Sequence, residues 1–305
     1  MDRLVLYIGT SLRDIDQYGY LLRSIYRHNK DNLKVYTAVN DSDIDIFRSR
    51  FADKNVTFFC DSEVHRTDNA RVDWWKRQQI IKMNFHTLGV CENFVQLDSD
   101  SFFIKDFCLE DFMFDSRTPY TLAHENKELL EFFAEHNLNN AKCAAPDGRF
   151  YTNVHSRDMS MKIRLLFGNT YSRFIDGGHP PCIWSAKVWK ILEDYANDKG
   201  LSYEDLILHA QSEQQWYVEV LLKFQPIQLV PIQPMFKVFH YDRTYEDFLQ
   251  KHRGNLEQGL EDLKFNYWGI GLQSNFSRAF FEQSEIYRHW FSKAKSSEAK
   301  SLAAK

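Results

Sequence analysis

Two aspartates, Asp98 and Asp100, stand one residue apart in "ENFVQLDSDSFFIKDF", residues 92–107. Like charges this close repel, and burial makes each of them costlier. A divalent cation offsets the repulsion, and carboxylate oxygens suit Mg²⁺ or Mn²⁺. The chain holds four such triplets: Asp14/Asp16, Asp41/Asp43, Asp43/Asp45 and Asp98/Asp100. The first three lie in polar surroundings that suit turns and helix starts, whereas the last is bracketed by "FVQL" and "SFFI". On a strand, residues i and i+2 project to the same side, so a strand end here would aim both carboxylates at one ligand. A solvated turn with ordinary capping aspartates is the competing reading.

Two carboxylates seldom complete a divalent site, so a third protein donor or substrate phosphates must add to them. His240, in "KVFHYD", is a candidate donor, although the apolar run before it also suits a hydrogen-bonded core histidine.

The elements that would carry these residues follow from periodicity. "RLVLYIGTS" (3–11) reads as a buried strand entering a loop, and "LKVYTAVNDSD" and "NVTFFCDS" as two more strands. Between them, Tyr18, Leu21, Leu22 and Ile25 recur at helical spacing, and "DIFRSRF" suits a short helix. In "DWWKRQQIIKMNFHTLGV", Ile81, Phe85 and Leu88 share a helical face, with Gly89 placed as C-cap. "NFVQLDSDSFFI" then makes a fourth strand. Strands alternating with helices at these intervals predict an α/β fold with a mainly parallel sheet flanked by helices, its ligands outside the C-terminal strand ends.

The second half is less regular. "AKVWKILEDYA" and "SEQQWYVEVLLKF" read as helices, the latter with Ser212 as N-cap, and "IDGGHPPCIWS" reads as loop. "IQLVPIQPMFKVFHYD" is extended and proline-interrupted, which fits an edge better than a central strand. Residues 139–160 give no assignment. The expected organisation is one domain over 1–291, with a nucleotide-binding half (1–107) and an acceptor-side half (108–291), then a flexible tail (292–305).

With 305 residues, 44% of them hydrophobic and 15% aromatic, the chain can bury a sizeable core. A formal net charge of −4 lacks the basic footprint of nucleic-acid binding. Five widely spaced cysteines with no CxxC argue against a disulfide framework or a zinc knuckle and suit a reducing compartment. The N-terminus lacks the long apolar stretch of a signal peptide, and no stretch is apolar enough to span a bilayer. A cytoplasmic location is expected.

"FVQLDSDSFF" after a helix, in a chain whose first strand, loop and helix carry "YIGTSLRDIDQYGYLLRSI", resembles the GT-A glycosyltransferases. More closely, the chain is similar to a group of poorly characterised bacterial proteins linked to surface-polysaccharide synthesis. The shared features are an "xxQQxxxK" helix (Arg77, Gln78, Gln79, Lys82), a "PPxxWS" loop (Pro180 to Ser185) and an "SE" helix start (Ser212, Glu213). The resemblance spans roughly residues 3–240, while region 139–175 matches nothing in it.

The resemblance implies a GT-A fold in which Asp98 and Asp100 hold Mn²⁺ or Mg²⁺ against the diphosphate of a nucleotide sugar. In enzymes resembling glycogenin a late histidine joins them, the place that His240 takes here. Thr10, Ser11 and Asp14 after the first strand, with Asn40 and Asp41 after the second, would bind the base and ribose; helix capping and a turn account for the same residues. Gln78 and Lys82 are neighbours on one helix face, suited to the donor sugar or its phosphates or simply to a solvated face. Arg71 and Arg77 are cationic candidates for the diphosphate. Glu213 and Asp176 are candidates for a general base in an inverting reaction; in a retaining one neither is needed as a base. Trp184 suits stacking on an acceptor sugar or a place in the core, and His179 is not expected to be a ligand. The acceptor would be a glycan or glycolipid, with peripheral membrane contact through "SRAFFEQSEIYRHWFSKAKS". The alternatives are a nucleotide- or glycan-binding domain without catalysis and a metal-dependent phosphoesterase, for which a second Asp/His cluster is missing from the sequence.

Overall fold

The computed structural model describes residues 1–127, 131, 143–144, 150–151, 153–169, 173–239 and 242–272. His240 and the C-terminal stretch expected as tail or membrane contact lie outside the described residues.

The central strand β1 (Asp2–Thr10) is buried continuously from Leu4 to Thr10. A strand covered on both faces carries an apolar run rather than an alternation, as "LVLYIGT" does. It pairs in parallel with β2 (Val35–Val39) on one side and β4 (Cys91–Asp98) on the other, and β3 (Val56–Cys60) adds in parallel beyond β2. Antiparallel to β4, the edge strand Cys182–Ser185 closes the order β3-β2-β1-β4-(182–185). The fold is therefore mixed α/β, with a mainly parallel sheet flanked by helices, as expected. The register sets Thr10 beside Val39, Val39 beside Cys60, and Gly9 beside Asp98. All four parallel strands thus end at one rim, and the chain changes direction of winding between β1 and β4.

Helix α1 (Ile15–His28) buries Ile15, Tyr18, Leu21, Leu22 and Ile25, the face its periodicity marks. After α2 (Ile44–Arg50) and α3 (Asp61–Val64), helix α4 (Trp74–Asn84) starts with Asp73 as N-cap, accepting from the Lys76 amide. It stops at Asn84, and a 3₁₀ turn, Phe85–Leu88, ends in Gly89 at φ 62°. The expected C-cap is thus at its place, but it closes the 3₁₀ turn, where a left-handed residue favours glycine.

β4 and β5 (Ser101–Phe103) belong to different sheets. β5 pairs antiparallel with Gly269–Leu272, which pairs in parallel with Phe236–Phe239. Phe236–Phe239 is an edge strand, as the prolines before it require.

The segment "IDGGHPPCIWS" departs from expectation, because its last four residues form the edge strand beside β4. Trp184 is buried there, its ring centroid 5.0 Å from Trp189 and 5.7 Å from Tyr217, so it packs the core and offers no face to an acceptor. A Cβ on Gly177 would sit 2.5 Å from the Gln214 carbonyl oxygen, and one on Gly178 would overlap Leu122. Gly177 thus lets this loop press against the start of the helix Glu213–Phe224, and Gly178 lets it close on Leu122. Where periodicity gave no assignment, Asn153–Phe167 is helical. Its "MSMKIRL" alternates in the manner of a strand, but Met159, Ile163 and Phe167 lie on a buried helical stripe. Arg164 Nε, 2.7 Å from Glu219 Oε1, joins it to Glu213–Phe224. No helix among the described residues is long and apolar enough to cross a membrane.

Candidate active site

The rim formed by the strand ends opens into a cleft of about 640 Å³. The β1 end supplies Thr10, Ser11, Arg13 and Asp14, the β2 end Asn40, and the β3 end Asp61. Helix α4 supplies Trp74, Arg77 and Gln78, and the β4 end supplies Asp98 and Asp100. This is the position, outside the carboxyl ends at the change of winding, where open α/β sheets bind ligands.

Asp98 is the last residue of β4 and Asp100 lies in the turn that follows, so the pair is not on one continuous strand. The Ser101 hydroxyl donates to the Asp98 carbonyl at 2.6 Å and the Leu272 amide to that of Asp100 at 2.8 Å, which holds the turn. The strand stops because β5 must leave to pair in the second sheet. The turn, rather than strand alternation, brings both aspartates to the cleft.

Beneath the cleft floor lies an ion-paired chain. Lys82 Nζ is 2.7 Å from Asp98 Oδ1 and 3.4 Å from Glu213 Oε1. The Lys82 side chain is 3% exposed and that of Glu213 2%, so neither charge meets solvent. The Gln96 amide also donates to Asp98 Oδ1, at 3.0 Å. Gln79, with its amide turned to donate, reaches both oxygens of Glu213, and Gln214 donates to Glu213 Oε1 at 3.0 Å. Burial disfavours the Lys82 charge, but Asp98 and Glu213 outweigh it, and the ammonium is held above its ordinary pKa. Burial pushes the Glu213 carboxyl up, with Lys82 pulling against it. The Lys82 side chain is therefore the centre of a buried network and not part of a solvated helix face.

Thr10, Ser11, Asp14, Asn40, Arg77, Gln78, Asp98 and Asp100 all line the one cleft. Asp41 is not among its lining; it accepts from the Ser62 amide at 3.1 Å, the turn reading of that residue. Arg71 pairs with Asp205 at 2.5 Å, also off the cleft. Neither candidate for a general base reaches the lining. Glu213 is sealed below Lys82. Asp176 Oδ1 accepts from the Gly178 amide and from Gln215 Nε2, both at 2.9 Å, and Oδ2 accepts from Asn126. Those contacts make Asp176 the fastener between the glycine loop and the following helix. The helix start that was expected to leave Glu213 ionised and available is instead packed under the loop. His179 lies near Asp98, His124 and Lys82, and burial lowers its pKa to about 4.

Asp61, Arg13 and Trp74 are among the lining residues that the sequence reading did not single out. Asp61 directly follows β3, and the rule that ligands meet strand ends would have flagged it. Arg77 Nη2 is 3.2 Å from its Oδ2. Burial, opposed by Arg77 and reinforced by Asp41 and Asp43, raises the Asp61 pKa to about 6. Arg13 sits in the 3₁₀ turn after β1, and Trp74 is the first residue of α4. Asp43 sets the same rim from behind. It accepts from the Leu12 amide at 3.0 Å, Asn40 Nδ2 at 3.2 Å and Ser42 Oγ at 2.9 Å. A conserved-looking spacing is not needed to find it: a buried carboxylate between two loops has to be answered by donors.

Among the described residues, one group of three potential donors stands close enough to share a metal ion: Asp31, Cys108 and Glu110, away from the cleft. At Asp98 and Asp100 the described protein donors are two carboxylates.

No curated protein sequence matches the chain. Solved structures with a similar course include the bifunctional glycosyltransferase WbbM (TM-score 0.45, 14% identity, 88% of this chain and 45% of that one). Mouse xyloside xylosyltransferase 1 is similar at a TM-score of 0.44 and 8% identity, over 90% of this chain and 99% of that one. GlyE of Streptococcus pneumoniae TIGR4, also a glycosyltransferase, gives 0.46 and 13%, over 96% and 60%. This chain thus spans less than two thirds of WbbM and of GlyE. Residues 4–216 match the model of DUF6492, described as a family of unknown function, and the chain belongs to that family.

Proposed function

We propose that the chain is a metal-dependent glycosyltransferase moving a sugar from a nucleoside-diphosphate sugar to a glycan or glycolipid acceptor. The observation that carries this reading is the meeting of Asp98 and Asp100 with the ends of β1, β2 and α4 in one cleft. Two carboxylates there form a hard oxygen set that fits Mn²⁺ or Mg²⁺ once diphosphate oxygens complete it. The described partners of Asp98 all approach Oδ1, which leaves Oδ2 for a cation. When bound, the ion would supply neutralisation of the charge growing on the departing diphosphate.

The chain's own groups divide the remaining work. Arg77, oriented by Asp61, offers a planar fork suited to phosphate oxygens. Thr10, Ser11 and Asn40 present hydroxyl and amide groups to the ribose and base. Gln78 faces the donor from α4. Lys82 fixes the orientation of Asp98 from below, and Glu213 compensates the buried ammonium; we assign both to positioning. Asp176 holds the loop that packs on Gln214. A place in bacterial surface-polysaccharide synthesis rests on the sequence resemblance, and a cytoplasmic location on the cysteine pattern and the absence of a signal-peptide stretch.

The test is incubation with a panel of UDP-, GDP- and dTDP-sugars in Mn²⁺, following free sugar and nucleoside diphosphate. Slow, Mn²⁺-dependent release of both from one donor supports the proposal. Nucleotide binding without turnover, with or without acceptor glycans, would point to a binding domain. Cleavage of simple phosphodiesters would point to a phosphoesterase.

A further inference from the structure

Two aspartates at the far rim of the sheet, Asp43 and Asp61, are each 8% exposed, and their surroundings differ sharply. Asp43 accepts from the Leu12 amide, Asn40 Nδ2 and Ser42 Oγ, and against the pull of burial these donors hold its carboxyl below the ordinary value. The Asp61 carboxylate has one polar partner among the described residues, Arg77, whose Nη2 stands 3.2 Å from Oδ2. A carboxylate offers about four acceptor positions. Most of this one's capacity is therefore unused, although little water reaches it, and its raised pKa is the mark of that shortage. Of the two, Asp61 is the one that lines the cleft. The donors it lacks are those a ligand would bring. Thr10 repeats the pattern in the same lining: it is 6% exposed, and its hydroxyl has no partner among the described residues.

The place of Asp61 says which part of a ligand it meets. It follows β3, and in the order β3-β2-β1-β4 that is the parallel strand farthest from Asp98. A nucleotide with its diphosphate at Asp98 and Asp100 points its base to this end. A carboxylate is matched by two donors side by side. Guanine has them, in N1–H and the N2 amino group. Uracil and thymine set one N–H between two carbonyl oxygens, which a carboxylate repels. Adenine and cytosine place one amino group beside an acceptor nitrogen. The charges of Asp41 and Asp43 also bear on Asp61 and make this end of the rim favour a donor-rich edge. We propose that Asp61 reads the base of the bound nucleotide and selects guanine, accepting from N1–H and the N2 amino group, so that the chain uses GDP-sugars. The inference rests on the donor reading above and adds to it the class of nucleotide.

The experiment is titration calorimetry in Mn²⁺ at about pH 8, where Asp61 is ionised. The probes are GDP, IDP and UDP, on the wild-type chain and on Asp61→Asn. IDP differs from GDP in lacking the N2 amino group alone, so the wild-type comparison needs no variant. GDP is expected to bind the wild type roughly 10- to 100-fold more tightly than IDP, the worth of one hydrogen bond to a charged acceptor, and UDP no better than IDP. Asp61→Asn is expected to close most of the gap between GDP and IDP. The two share ribose and diphosphate, so the gap is blind to any change at Arg77. Equal affinity for GDP and IDP in the wild type overturns the inference and leaves the donor reading standing. So does tighter binding of UDP than of GDP, or a gap that persists in Asp61→Asn. Failure of the wild-type chain to bind any of the three overturns both.

Discussion

If Glu213 exists to compensate Lys82, the two residues must be coupled far more strongly than either is coupled to the rest of the core. Both side chains are at most 3% exposed and their charged atoms stand 3.4 Å apart. At an effective dielectric constant of about 20, that spacing corresponds to an attraction of about 5 kcal/mol before desolvation is counted. Removing one member of a buried pair typically costs about 3–5 kcal/mol, because the survivor keeps its charge and loses its partner. Lys82→Met should fall at the low end of that range, since burial favours the protonated Glu213, which Gln79 and Gln214 can still bond. Glu213→Gln should cost less again, about 1–2 kcal/mol, because Lys82 keeps Asp98 at 2.7 Å. The double variant replaces the pair by neutral groups of similar volume, and such replacements are often neutral or better. Urea denaturation of the four proteins then gives a coupling of about 4–5 kcal/mol, and the double variant should be nearly as stable as the wild type. Additivity within about 0.5 kcal/mol would refute the reasoning. The cycle has a second readout. With Glu213 gone, Lys82 cancels the charge of Asp98, so Mn²⁺ affinity should drop about 10- to 100-fold in Glu213→Gln, as for other second-layer partners of metal ligands.

Asp61→Asn should stabilise the chain at neutral pH. A carboxyl whose pKa rises from 3.8 to about 6 on folding carries a penalty of about 3 kcal/mol. That penalty is complete above pH 6 and absent below the unfolded value near 4, so the wild type loses stability relative to the variant as pH rises through this window. Urea midpoints at pH 4 and pH 7 check it, and a constant difference between the two proteins would contradict the assignment. Gly177→Ala should cost about 1–3 kcal/mol in urea, because its Cβ would lie 2.5 Å from the Gln214 carbonyl oxygen; an unchanged midpoint would show that the loop can move away.

The parts of the fold that repeat were legible in the sequence. β1 announces itself by an unbroken apolar run, and α1 by Tyr18, Leu21, Leu22 and Ile25. Strand–helix alternation then implies the sheet, and the sheet implies that Thr10, Asn40 and Asp98 end at one rim. What escaped is what depends on depth. Lys82 and Gln78 are neighbours on the same helix, yet one is buried and the other lines the cleft, a difference set by the helix that packs against α4 and by nothing local. Glu213 looks like an ordinary first-turn acid until the glycine loop is seen pressed on Gln214. Trp184 looks like a rim residue until Cys182–Ser185 pairs with β4. The helix Asn153–Phe167 hides behind an alternating pattern because Arg164 finds Glu219 inside the protein.

The claim on which the account turns is that the side chains of Asp98 and Asp100 together hold the cation that receives a nucleoside diphosphate. Calorimetric titration of UDP and GDP into the wild-type chain and into Asp98→Asn/Asp100→Asn, each with Mn²⁺ and with EDTA, tests it directly. The account predicts Mn²⁺-dependent binding of at least one nucleotide by the wild type and its loss in the double variant. Nucleotide affinity that is the same in all four titrations would contradict it.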